Sequence, residues 1–231
     1  MPDRSGQAPA IPADPLDWRP QRVRPTRAAR SVVNAVVEPL WDGDRVLLHF
    51  DAARGPDGEP WVLLIDENGD DVTESEAEVT ARLRGAIQAA DAVVDGYLTR
   101  QATRSGTDVS LMPTVRTKRS LMYIRTVETV DAPPEPAEPG PVAFVAVDLL
   151  RIDGQHLFDV PLLERKRILD SIVVESELVR LSPYTQPPIG TWVRTWKAAG
   201  FRGAMLKAAN SRYVPGGETD EWQAAVRAPR G

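Results

Sequence analysis

Few of the 231 side chains can do covalent or proton-transfer chemistry. There is no cysteine, which removes thiol nucleophiles, disulfides, thiolate zinc sites and iron–sulfur clusters together. The two histidines, His49 and His156, are too few for a histidine-rich metal centre, and no metal site is expected. The amines are Lys118, Lys166, Lys197 and Lys207. An amine becomes a nucleophile when burial or neighbouring charge lowers its pKa, so each of the four has to be weighed. Lys166 and Lys197 fall in charged helical stretches and read as solvated. Lys118 lies in the basic run Arg116-Thr-Lys-Arg119, which suits either a solvated face or contact with phosphates. Lys207 closes the apolar run Ala204-Met-Leu. Two Asp-Gly pairs stand out, Asp42-Gly43 followed by Arg45, and Asp95-Gly96. Taken alone, Asp42-Gly43 reads as a hairpin turn. His156 reads as a surface polar residue, and His49 as a sheet residue with its hydrogen bonds made.

These residues need elements to position them. A chain with 42% hydrophobic and 26% charged residues is a globular one with a core of its own. No apolar run approaches the roughly 18 residues of a membrane helix, so no membrane partner and a cytoplasmic location are expected. Residues 1–30, rich in Pro, Ala and Arg, carry a net charge of +3 against −5 for the whole chain and read as a disordered basic arm. From Ser31 the texture changes. Val32–Val37, Arg45–Phe50 and Trp61–Ile65 read as strands, with turns at Asp42-Gly43 and Gly55-Pro-Asp-Gly58. Thr73-Glu-Ser-Glu76 has the form of a capping box opening a helix that runs to about Ala90. Ala92–Leu98 is a strand interrupted by a turn or bulge at its Asp-Gly. Residues 131–141 hold a run of prolines and acids that reads as an extended loop. Val142–Ile152, Val179–Leu181 and Ala204–Lys207 are further strands, Leu162–Ile172 and Ile189–Ala199 are helices, and Ser211–Gly217 is a loop. Strands and helices mix without a regular alternation, so the class is α+β. Residues 227–231 are a tail.

Several of these stretches, in order and at these distances, resemble the adenylation domain of ATP-dependent DNA ligases, a branch of the covalent nucleotidyltransferases. The carriers are Leu40-Trp-Asp-Gly-Asp-Arg45, Asp95-Gly-Tyr97, Phe144–Leu157 with Pro161–Leu169, Phe201-Arg-Gly-Ala-Met-Leu-Lys207, and Ser211–Gly216 with Asp220-Glu-Trp222. The resemblance covers residues 31–226. It implies a nucleotidyltransferase (ATP-grasp-like) fold of two antiparallel-sheet lobes with flanking helices. The chain ends at Gly231, so no OB-fold is expected.

In that family a lysine in the pattern Lys-x-Asp-Gly-x-Arg attacks the α-phosphate of ATP, forming lysyl-AMP, and the AMP then passes to a DNA 5′-phosphate. Here Leu40 stands at the lysine position. The family's Asp-Gly-Glu is Asp95-Gly96-Tyr97, its adenine-stacking aromatic is Val147, and its Glu-Gly begins with Arg202. Two family lysines after the tryptophan are Ala224 and Val226. The resemblance leaves Asp42, Gly43, Arg45 and Lys207 as nucleotide-binding positions. ATP and Mg²⁺ are implied by the family, yet two carboxylates that would favour the metal are missing. The first reading is therefore an inactive domain of DNA repair or recombination that binds nucleotide, nicked or broken DNA, or a repair protein. The alternatives are an active ligase component, using another lysine such as Lys207 or an OB-fold supplied in trans, and a protein-interaction scaffold.

Overall fold

The computed structural model describes residues 11–26, 32–101, 140–186, 196 and 201–225. In chain order the elements are β1 (Arg22–Thr26), β2 (Ala35–Pro39), β3 (Asp44–Asp51), β4 (Trp61–Asp66), α1 (Ala77–Ala86), β5 (Asp91–Thr99), β6 (Ala143–Ile152), β7 (Gln155–His156), α2 (Leu162–Ile172), β8 (Val179–Leu181), β9 (Ala204–Ala208) and β10 (Glu218–Ala225). They form two sheets. One has the order β1-β10-β9-β2; the other runs β4-β3-β5-β6-β7, with β8 beside β6. This is the expected α+β class. Each sheet is antiparallel except for one pair, β1 with β10 and β6 with β8.

Alternation assigns the faces of the larger sheet. Val46, Leu48 and Phe50 of β3 and Ala92, Val94 and Leu98 of β5 pack in one cluster with Val79 and Leu83 of α1 and Leu169 and Ile172 of α2. The opposite face carries Leu47 and Val93, which pack with Trp222 of β10 in the smaller sheet and with Trp18, Leu150, Phe158 and Tyr213. Another cluster joins Val37 and Leu206 of the smaller sheet to Val145, Val147 and half-buried Tyr97 of the larger, together with Trp41, Trp196 and Phe201. The polar residues of interest lie where the two sheets meet.

Several local expectations are revised. Residues 11–26 were expected within a disordered arm; instead β1 pairs with β10 and Trp18 is fully buried. An indole sealed in a core holds its neighbours in place, and composition alone does not register one such anchor. Asp42-Gly43 is not a hairpin turn, because β2 and β3 belong to different sheets and the segment between them crosses from one to the other. The capping box does not form. Thr73 Oγ1 accepts from the Leu64 amide and Ser75 Oγ donates to the Val72 carbonyl, so α1 starts only at Ala77. Of the turn or bulge expected at the Asp-Gly of β5, the bulge-like irregularity is found: the strand runs on and its register against β6 shifts between Asp95 and Gly96. Strand β10 has no counterpart among the expected elements. The helix expected at 189–199 (apart from Trp196), residues 1–10, 27–31, 102–139 and the tail lie outside the described residues.

Candidate functional site

Sheet register places several of the residues singled out by the resemblance, Arg45, Tyr97, Lys207 and Ala224. Lys207 of β9 stands between Val36 of β2 and Trp222 of β10, and Met205 stands between Glu38 and Ala224. With a period of two, Glu38, Met205, Lys207, Trp222 and Ala224 share one face of the smaller sheet. On the larger sheet, Arg45 pairs with Tyr97 across β3 and β5, and Tyr97 pairs with Val145 of β6. The Trp222 ring joins the two sides: Lys207 Nζ lies 4.2 Å from its centroid and the Arg45 guanidinium 5.9 Å.

Both surviving cations are held by internal carboxylates. Arg45 donates to Asp95 through Nε at 2.9 Å and Nη2 at 2.6 Å, and its Nη1 donates to the Gln21 carbonyl at 2.6 Å. Tyr213 donates its hydroxyl to the same Asp95 at 2.8 Å and accepts from the Gln21 amide at 2.8 Å. Burial would lower the Arg45 pKa, but the Asp95 charge outweighs it and holds the guanidinium well above its ordinary value. Burial and the Asp95 charge both push the Tyr213 phenol well above its own, so it remains a donor.

Lys207 is 1% exposed and reaches Glu38 Oε2 at 3.0 Å. Lys166, expected on a solvated face, is buried too: its ammonium pairs with Glu38 and donates to the Val147 carbonyl at 2.8 Å. The α2 stripe of Leu162, Leu169 and Ile172 carries positions 165 and 166 inward with it, a signal the charge run concealed. Burial works against the Glu38 charge, but the two ammonium groups outweigh it and hold the carboxyl below its ordinary value. Burial pulls the Lys207 ammonium down, with Glu38 opposing. Beside this cluster, Arg165 donates to both oxygens of buried Asp148 at 2.8 Å and to the Ser211 carbonyl at 3.0 Å.

The replaced positions fit the same picture. Leu40 is half-buried just past β2 and donates its amide to the Gly203 carbonyl at 3.1 Å. Asp42 lies on the surface, where its carboxylate meets Arg202 at 3.1 Å, so the residue at the family's glutamate position is an ion-pair partner of the retained aspartate. The Asp42 carbonyl accepts from Thr99 Oγ1 at 2.5 Å. Gly43 has a packing role: a side chain there would collide with the Leu98 carbonyl. Val147 is buried with Tyr97 in an apolar cluster, and Ala224 is half-buried in β10. Val226, Lys118 and Lys197 lie outside the described residues. Sequence reasoning missed Glu38, Lys166, Tyr213 and Gln21 as members of the site, and the role of Asp95 as the partner of Arg45, since each is set by a residue distant in the chain.

At the positions the resemblance assigns to ATP and Mg²⁺, the side chains do not fit the group: Leu40 is a hydrocarbon, Arg45 and Lys207 are engaged by Asp95 and Glu38, and Val147 is an aliphatic side chain in a packed cluster. Among the described residues no group of three or more His, Asp or Glu side chains is placed to hold a metal ion.

A two-sheet α+β domain with these motifs placed at the junction of its sheets is a nucleotidyltransferase domain of ligase type. The profile described as "ATP dependent DNA ligase domain" matches residues 23–223, and the chain belongs to that family. It is 29% identical over 194 residues to a DNA ligase of Methanothrix thermoacetophila, covering 80% of this chain and 31% of that protein. It is 31% identical over 184 residues to a DNA ligase of Aeropyrum pernix, covering 78% and 28%. The chain thus spans about a third of the length of the curated relatives it matches. A solved mycobacterial DNA ligase D complexed with ATP and MES superposes with a TM-score of 0.61 at 19% identity, over 92% of this chain and 61% of that one.

Proposed function

We propose that this chain is a ligase-type adenylation domain that does not form lysyl-AMP and acts by binding, with nicked or broken DNA or a repair protein as its partner. One observation carries the reading. Arg45 and Lys207, the cations that the resemblance leaves to meet a triphosphate, are each held by an internal carboxylate, and the resemblance puts Leu40 where the nucleophile would stand. A leucine has no lone pair, and no environment tunes that away. Burial lowers the Lys207 pKa, as an amine nucleophile needs, but its ammonium is 1% exposed and paired with Glu38, so access of a phosphate is closed, which argues against it as a substitute nucleophile. No helix among the described residues is long and apolar enough to cross a membrane, and a cytoplasmic role in DNA repair or recombination accords with the family.

The test is intact-protein mass after incubation with ATP and Mg²⁺ or Mn²⁺, beside an active ligase. The expected result is an unchanged mass. Addition of AMP would overturn the reading, and peptide mapping would then name the lysine used.

A further inference from the structure

The buried charges at the sheet junction do not balance. Arg45 is matched by Asp95 and Arg165 by Asp148, each through a two-pronged contact. That leaves Glu38 alone facing both Lys166 and Lys207, so one positive charge is in excess among these described residues. All three side chains are at least nine-tenths buried. The surplus is spread over the Val147 carbonyl, the Tyr184 ring 5.0 Å from Lys166 Nζ and the Trp222 ring 4.2 Å from Lys207 Nζ. A carbonyl and two ring faces are weaker partners than a second carboxylate, so nearly all the neutralisation falls on one residue.

We propose that Glu38 is a built-in counter-ion, an autoinhibitory contact that seals this cation pair from inside and keeps both ammonium groups from external oxyanions. The inference rests on reading the site as one that no longer turns over nucleotide. It adds what neutralises the two ammonium groups: a carboxylate of the chain itself, on the strand that leads to Leu40. Two consequences follow. Removing Glu38 leaves two buried ammonium groups side by side, and a small external oxyanion then has a vacated volume and a charge to neutralise. Removing one lysine leaves a matched one-to-one pair, which is a far milder change.

The experiment compares full-length wild type, Glu38→Ala, Lys207→Met and Glu38→Ala/Lys207→Met by thermal melting. The buffer contains sodium acetate, which replaces the carboxylate removed, or sodium phosphate, each against sodium chloride at equal ionic strength. Glu38→Ala is expected to melt well below wild type and to recover several degrees, saturably, in acetate or phosphate. Wild type is expected to show no response beyond chloride, and the double variant, which keeps Lys166 but not Lys207, a smaller response than Glu38→Ala. Lys207→Met is expected to melt near wild type. If Glu38→Ala does not fold in chloride, refolding from denaturant only in the oxyanion supports the proposal. An unchanged melting point in Glu38→Ala, the same anion response in all four proteins, or a loss in Lys207→Met equal to that in Glu38→Ala would overturn it. These readouts are independent of AMP transfer, so adenylation found by mass would sink the functional reading without altering this result.

Discussion

His49 points from β3 toward the face covered by the N-terminal segment, and it is buried with Nε2 making no hydrogen bond. The expectation of a satisfied sheet histidine is therefore revised: one ring nitrogen is sealed without a partner. Burial, aided by the positive charge of Arg19, lowers its pKa from 6.5 to about 4. The direction of the pH effect follows from linkage. The unfolded chain takes up a proton as pH falls through 6.5, and the folded chain resists it until about 4. Stability is thus fully present above the unfolded pKa and lost as pH falls toward the folded one, by at most about 3 kcal/mol. Glu38 adds to the loss at the acid end, because its carboxyl is held below its ordinary value in the fold. Urea unfolding at pH 7.5 and 4.5 should show wild type losing most of that amount and His49→Phe losing much less. An equal acid loss in both proteins would assign the effect to the carboxylates instead.

At the scale of elements, the segment leading into β1 is part of the core. Trp18 is fully buried against Leu47, Val93, Phe158 and Trp222, and its Nε1 donates to the Pro12 carbonyl at 2.8 Å. Gln21 continues the attachment, donating its amide to Tyr213 and accepting from the Val214 amide. Trp18→Ala should cost about 3–5 kcal/mol, the range for emptying a large aromatic site. Denaturant unfolding that shows a loss below about 1 kcal/mol would return the segment to the status of a loose arm. This element also marks the limit of sequence reading. Strands such as Arg45–Phe50 and Trp61–Ile65 and the helix at Leu162–Ile172 are legible because local periodicity sets them. The order of residues 15–26 is not, because a single tryptophan and a strand partner almost two hundred residues away decide it. The same holds for the site. Leu40, Tyr97, Val147 and Arg202 stand out in the sequence as departures from the motif the chain resembles, but their neighbours, such as Gly203 for Leu40 and Asp42 for Arg202, come from the fold. Glu38 and Lys166 were passed over because a charged residue in a strand–turn or helix reads as solvated until its distant partner is placed.

On the scale of the whole molecule, the two sheets are joined by side chains of the protein. The Trp18–Leu47–Trp222 cluster and the Val37–Val145–Leu206 cluster both span the junction, and the ion pairs of Glu38 and Arg45 lie at the same junction. A domain whose sheets were held together by bound nucleotide would gain stability from it in proportion to ligand concentration over Kd. A hundredfold excess over Kd contributes ~2.7 kcal/mol. For a chain of this size each kcal/mol moves the melting point by about 2–4 °C. Here Arg45, Lys207 and Val147 are engaged within the fold, and on the proposed reading stability is uncoupled from the nucleotide. Melting curves in millimolar ATP with Mg²⁺ should match those in an equal ionic strength of chloride. A dose-dependent rise of several degrees, carried by ATP and absent with inorganic phosphate, would overturn this and show that Tyr97 and Val147 still leave room for adenine.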